Sequence, residues 1–547
     1  MSMPSRLRIR PRNHQLIGAT LLAIALVLAS SAVAATSTSG TTNSTPTPTA
    51  TTAKQPPFDP TQILRYSDAR VSGAISPVNF DPVQFRVNGS DFEWGQAVYS
   101  TLLRPLANGS LVPELATSVK VVNPERIDIT LRKGVVFSDG TPFNADAVKF
   151  GLTRNLNTKN KAGFHAQFYD VDSIDITGRY TLTVNLNQPV AGYWYTLLGD
   201  DESFIVSPTA ANNPAINLNV TPVGAGPFKL IAYDPTQRMT FRKNPTYWNA
   251  KGIKLAGLEL VNVNAGPQQV NSLRTNQTEL EYALSPDDLA SLHGTSFKTT
   301  SISIDGNMLW MPMCKANPPF DNLQVRQAVN YATDRQSIIK GLLGGKGQVM
   351  DALWPPNDVN FPKDLTNSFP YNVAKAKQLL ASAGYPNGFS TTLMPLPGNP
   401  ISTQVAQVIQ LQWAKVGINV TIVPTTNFVP DFYTSRKAQL GLNYTMQTGM
   451  TKLNGPFAPG NIGDACQYSN AVLNKISANF NAAQQGNRAS IANAKIAQRF
   501  IVHNALSVFI AWLPFNAAWN PLLQNVQFIA RSRPVPDLWA LYFKPHK

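Results

Sequence analysis

The residue types that carry chemistry are thinly spread along this chain of 547 residues. The five histidines, His14, His165, His293, His503 and His546, include no His-Glu-x-x-His and no pair at i, i+4. A zinc site needs three or four converging donors, and this spacing offers none. No Gly-x-Ser-x-Gly elbow is present to expose a serine nucleophile. Gly341 to Gly347 is rich in glycine with a lysine at 346, but the spacing is wrong for a phosphate loop. It also follows a helical pattern instead of a strand, so it reads as a helix stop and turn. Asp200, Asp201 and Glu202 could hold a cation, but a solvated acidic loop is the favoured reading. No catalytic, metal or cofactor constellation emerges. The chain reads as a binding protein, not an enzyme.

Two cysteines remain, Cys314 and Cys466. In an oxidising compartment such a pair suggests one disulfide, which would tie a distant loop back to residue 314. Two buried free thiols are the other reading.

The elements that would position any site fall into two styles. Between 119 and 187, Ile127, Ile129 and Leu131 alternate with polar neighbours, as do Tyr180, Leu182, Val184 and Leu186. That period of two predicts strands. Ile174 and Ile176 run into Thr177-Gly178-Arg179, a turn that folds the next strand back as a hairpin. A helix capped by Asn144 and carrying Ala147, Phe150 and Leu152 lies between them. From 371 to 423 the pattern changes. Asn372 caps a helix that Gly384 and Pro386 end. A strand at 389–394, a helix bearing Val405, Ile409 and Trp413, and a strand with Ile418, Val420 and Ile422 follow. Strand, helix, strand with short links predicts parallel pairing.

Length and composition bound the rest. A chain this long exceeds what one core supports, so two or three lobes are expected. Arg6, Arg8, Arg10 and Arg12 precede an apolar run from Leu16 to Ala29, and Ala32-Val33-Ala34 has the form of a cleavage site. Residues 1–34 therefore read as a signal peptide, an uncleaved anchor being the alternative. Residues 35–57 are mostly Thr, Ser, Ala and Pro and predict an unstructured linker. The formal net charge of +15 either reflects solubility or favours an anionic ligand. No basic run interleaved with aromatics speaks for nucleic acid.

Four stretches carry a family resemblance. Gly134-Val135-Val136-Phe137-Ser138-Asp139-Gly140-Thr141-Pro142-Phe143, with Ala145-Asp146-Ala147-Val148, is the first. Val223-Gly224-Ala225-Gly226-Pro227-Phe228, followed by Arg242-Lys243-Asn244-Pro245-Thr246-Tyr247-Trp248, is the second. Pro318-Pro319-Phe320-Asp321-Asn322-Leu323-Gln324-Val325-Arg326-Gln327-Ala328-Val329 and the helix end at Ala383-Gly384-Tyr385-Pro386 complete the set. Together and in order they resemble the bacterial extracellular solute-binding proteins of the oligopeptide, dipeptide and nickel class, family 5. Read physically, Asp139-Gly140 makes a tight turn, Gly224 and Gly226 supply positive φ at a lobe crossing, and Asp321 caps the following helix with Gln324 as its partner.

The resemblance implies an α/β fold of the type II periplasmic-binding-protein kind. Lobe I would comprise 58–106, 222–311 and 515–547, small lobe II 107–221, and lobe III 312–514. A ligand would sit between the large lobes, which close like a jaw. The implied partners are the permease and ATPase of an ABC importer and a small-molecule or peptide ligand, with the chain monomeric and periplasmic or extracellular. A role in sensing or chaperoning, or an unrecognised secreted enzyme, is the alternative. Tyr99, Ser100 and Thr101 match a cleft-lining stretch in which the family has Glu-Gly at the last two positions. Phe428, Tyr444, Thr445, Met446, Gln447 and Thr448 belong to the other expected cleft segment. No acidic residue occurs between Asp431 and Asp464, so a peptide's free ammonium would lack its usual carboxylate.

Overall fold

The computed structural model divides the chain after Gln55, and the second unit, Pro56–Lys547, is the one described here. Its described residues are 58–67, 79–85, 90–156, 171–397, 400–446, 451–457, 464–529 and 534–545. The signal-peptide and linker expectations for 1–57 lie outside them.

A mixed sheet of eleven strands runs through this unit. Across it lie, in order, Asn419–Ile422, Ser390–Pro395, Leu440–Met446, Lys298–Pro312, Ser507–Trp519, Leu280–Tyr282, Ile63–Ser67, Gly257–Val261, Arg238–Lys243 and Phe228–Asp234. Gln348–Val349 pairs separately with Ser507–Trp519. Ser390–Pro395 is parallel to both of its neighbours, as is Ile63–Ser67. The expected strand, helix, strand unit is therefore present, its helix being Pro400–Ala414. Gly417 ends the connection at φ +88, where Asn387 and Gly388 leave no room for a side chain. The fold is α/β.

Two long strands hold the sheet together. Lys298–Pro312 pairs antiparallel with Ser507–Trp519, and the register slips between Ser303 and Met308 and again after Leu309. Their side chains divide between two cores, alternating over Met308 to Met311 as the two-residue period of a strand requires. Met308 and Trp310 enter a large core shared with Tyr66, Leu260 and Phe515, whereas Leu309 and Met311 enter one built on Val325, Ile409 and Trp413. On the partner strand, Phe509 and Trp512 face the first core, and Val508 and Ile510 the second. One ribbon thus forms a wall of both cores.

A separate four-stranded antiparallel sheet orders Ala116–Asn123, Arg126–Leu131, Thr181–Leu186 and Val171–Gly178. Its helix Ala145–Leu156 begins where Asn144 accepts the amide of Ala147. These elements match the sequence reading. Two local readings do not. The helix Leu323–Tyr331 is capped by Asn322, which accepts from Gln324 N, and not by Asp321. Asn322 stands one residue nearer the helix, where its short amide reaches the first free N–H. Gly224 and Gly226 have no positive φ; a Cβ on either would strike the carbonyl of Val98. Close approach, not backbone freedom, excludes a side chain there.

Candidate functional site

The segment from Leu440 passes from one core to the other beside the crossing strands. Leu440 and Leu442 belong to the second core, and Leu453 and Phe457 to the first. In between, Asn443 to Met446 pair with Trp310 to Asn307 of the crossing strand. The chain then re-enters as the helix Thr451–Phe457, whose Phe457 ring lies 6.2 Å from that of Trp310. Lys452, on the same helix, is fully buried, with its Nζ 5.0 Å from the ring of Trp354 and 5.2 Å from that of Trp512. A desolvated ammonium over two indole faces gains cation–π attraction.

Tyr444, Thr445 and Met446 are therefore placed at the ribbon by their backbones. Their side chains, with Gln447 and Thr448, lie outside the described residues. Phe428 is buried elsewhere. It stacks on Phe432 at 5.4 Å and meets Tyr433 edge-on at 5.9 Å, in a small cluster with Met394 and Ala465. Gly441 is small because those rings occupy its side-chain space.

Tyr99, Ser100 and Thr101 are buried in the first core's neighbourhood and carry internal hydrogen bonds. The Tyr99 hydroxyl donates to the Phe80 carbonyl at 2.9 Å, and burial drives its pKa well up. Thr101 donates to the Leu103 carbonyl. Ser100 Oγ lies 3.3 Å from Glu114 Oε1 and 3.4 Å from the Ala225 carbonyl. Ser100 thus lies beside a buried carboxylate, Glu114, that sequence spacing did not reveal. This carboxylate is almost fully buried and accepts from the Tyr247 hydroxyl and, at 3.0 Å, from Trp248 Nε1. Burial raises its pKa against those bonds. The structure brings 99–101 together with the Arg242–Trp248 motif, while Phe428 sits in a different cluster.

Cys314 and Cys466 are joined, with Cα atoms 5.0 Å apart across a sequence separation of 152. The bond anchors the residues after the Leu440–Phe457 segment to the end of a crossing strand. Among the described residues no group of His, Cys, Asp and Glu could hold a metal ion. Asp200 instead caps a short turn by accepting from Asp201 N. No described helix is long and apolar enough to cross a membrane.

Residues 110–461, more than half of the chain, match the profile of the bacterial extracellular solute-binding proteins, family 5. The chain belongs to that family. The glutathione-binding protein GsiB of Salmonella typhi is 30% identical over 294 residues, which span 54% of this chain and 57% of that protein. The chain thus matches little more than half the length of such relatives. Solved folds agree over a greater length. The periplasmic binding protein DppA of Helicobacter pylori, in complex with the peptide STSA, superposes with a TM-score of 0.74 at 22% identity, over 89% of this chain and 99% of that one. NikA from Staphylococcus aureus, in complex with Ni(L-His)2, gives a TM-score of 0.71 at 17% identity, over 88% and 100%. One fold therefore accommodates ligands of unrelated chemistry in these neighbours.

The tryptophan cage of Lys452 and the Glu114 network escaped sequence reasoning. Trp354 and Trp512 stand far from Lys452 in the chain, so no local period could join them. Glu114 carries a weak signal: an acid between Pro113 and Leu115 at the start of a strand-rich stretch, where few acids are buried without cause.

Proposed function

We propose that this family 5 chain is an extracytoplasmic solute-binding protein that captures a polar solute by jaw closure and delivers it to the permease and ATPase of an ABC importer. The observation that carries the reading is the paired ribbon Lys298–Pro312 and Ser507–Trp519. Its two faces belong to two cores, and its register slips part-way along. A ribbon of this kind is a natural hinge between lobe I (58–106, 222–311 and 515–547) and lobe III (312–514), with lobe II at 107–221. Family membership supports the transport role and the exported location; the Ala32-Val33-Ala34 pattern supports cleavage of the leader before Ala35, and the mature protein is proposed to be monomeric.

The solute we propose is an uncharged polar one, such as a capped peptide, a small amide or an oligosaccharide. Supporting this are the acid-free stretch from Phe432 to Gly463 and the commitment of Glu114 to Tyr247 and Trp248. Asp351 and Asp358 are likewise bonded locally, to Asn367 and Asn360. A buried ammonium without a carboxylate costs several kcal/mol. Tyr99, Ser100, Thr101, Phe428 and residues 444–448 remain the proposed lining. Calorimetry with free and N-acetylated short peptides tests the assignment. Binding of the acetylated forms at least as tight as the free ones is expected; tight binding of the free forms, lost on acetylation, refutes it. Saturation should also compact the protein in small-angle scattering and stabilise it by ~2.7 kcal/mol at a hundredfold excess over Kd.

A further inference from the structure

The small lobe and the segment between the crossing strands meet away from the ribbon. On one side is the buried helix Ala191–Leu197, which follows the small sheet's strand Thr181–Leu186. On the other is the turn that links the helices Ala471–Ala482 and Arg488–His503. Gly192 lies against the backbone of this turn. A Cβ built on it would overlap the Ala483 carbonyl group and stand 2.9 Å from the Asn481 oxygen. No rotamer change relieves an overlap with backbone, so every other residue at 192 forces the surfaces apart. The contact is locked by polar groups that water can also satisfy. Thr196 Oγ1 donates to Gln485 Oε1 at 2.8 Å, and Tyr195 is hydrogen-bonded to Gln484.

The surroundings fit a contact that opens and remakes. Next to it is an open pocket of about 390 Å³, bordered by Asn123 of the small sheet and by Asn479, Asn487 and Asn493 of the helical hairpin. Carboxamides lose little on wetting, unlike the apolar core to which the other faces of both elements contribute. The hairpin's second helix runs directly into the crossing strand Ser507–Trp519, so any displacement of the hairpin is transmitted to the ribbon.

We propose that Gly192 and Ala483 form a latch that positions the small lobe against lobe III and sets the balance between open and closed forms. This rests on the jaw-closure reading above. The small lobe then contributes to solute affinity without touching solute, by lowering the cost of closure.

The test needs no solute. Spin labels are placed through non-natural residues at the exposed positions Lys120 and Lys475 of the full chain, and the distance between them is measured by double electron–electron resonance. The wild-type protein should show a population at the short distance of the latched form. Gly192→Val should reduce it about tenfold relative to the longer one, and Thr196→Ala with Gln485→Ala should reduce it less. An unchanged distance distribution in a natively folded Gly192→Val protein overturns the latch. Where Gly192→Val does not fold, the Thr196→Ala, Gln485→Ala protein decides, and again an unchanged distribution overturns it. Failure of the wild-type protein to bind any solute would overturn the transport reading instead, and leaves a different signature from an inert latch.

Discussion

Lys315 Nζ lies 3.8 Å from Asp464 Oδ1, with both side chains almost wholly buried and the Cys314–Cys466 bond alongside. Burial dominates both groups. It pushes the Asp464 carboxyl up to about 6 and the Lys315 ammonium down to about 8, each opposed by the attraction of its partner.

The first prediction follows from the sign of those shifts. A folded carboxyl with a raised pKa contributes stability that is fully present below its unfolded value and lost as pH rises through about 6. Lys315, depressed to about 8, contributes stability that is lost as pH falls through that value, so it stays charged between pH 7 and 5. Acidifying from pH 7 to 5 should therefore add about 1 kcal/mol through Asp464. Asp464→Asn should lack that increment. Urea unfolding of both proteins at the two pH values measures it, and a larger gain in the variant would refute the assignment.

The second concerns the cross-link. With a sequence separation of 152, the bond removes chain entropy worth about 5 kcal/mol as an upper estimate. Replacing both cysteines by serine should lower the denaturation midpoint substantially, and reductant should then have no further effect. Equal stability of oxidised and reduced wild-type protein would show that the cysteines are not joined in solution.

The third separates charge from hydrogen bonding at Glu114. Glu114→Ala leaves the Tyr247 hydroxyl and Trp248 Nε1 without their acceptor and should cost about 2–3 kcal/mol. Glu114→Gln keeps an accepting oxygen and should cost less. Chemical denaturation of the two variants should rank them in that order, and a Glu114→Gln cost as large as that of Glu114→Ala would mean that the accepting oxygen is not what matters there.

The fourth contrasts two glycines. Gly226→Ala drives a methyl group into the Val98 backbone and should destabilise by about 1–3 kcal/mol. Gly341 lies in the exposed last turn of the helix Arg335–Leu342, with open space around it, so Gly341→Ala should stabilise by about 0.5–1 kcal/mol. Thermal melts of the two single variants should shift in opposite directions.

Much of this protein is legible in local pattern. Alternating Ile127, Ile129 and Leu131 specify a half-buried strand, because a strand's side chains change face at every residue. Asn144, Asn372 and Gly384 mark helix ends through bonds and φ values that depend only on near neighbours. Family signatures, which are mostly turns and caps of this kind, therefore revealed the fold. What escaped is whatever depends on distant segments meeting. The two faces of Met308–Met311 look alike in sequence, and only tertiary packing assigns them to different cores. Gly224 and Gly226 could have served a turn; the proximity of Val98 decided otherwise. Glu114 with Tyr247, Lys452 with Trp354 and Trp512, and Gly192 with Ala483 are all pairings across long stretches of chain. Local periodicity reports which way one residue faces, but it holds no record of which remote surface that face will meet. Elements and family follow from residue patterns read locally, whereas the company each buried polar group keeps depends on the path of the whole chain.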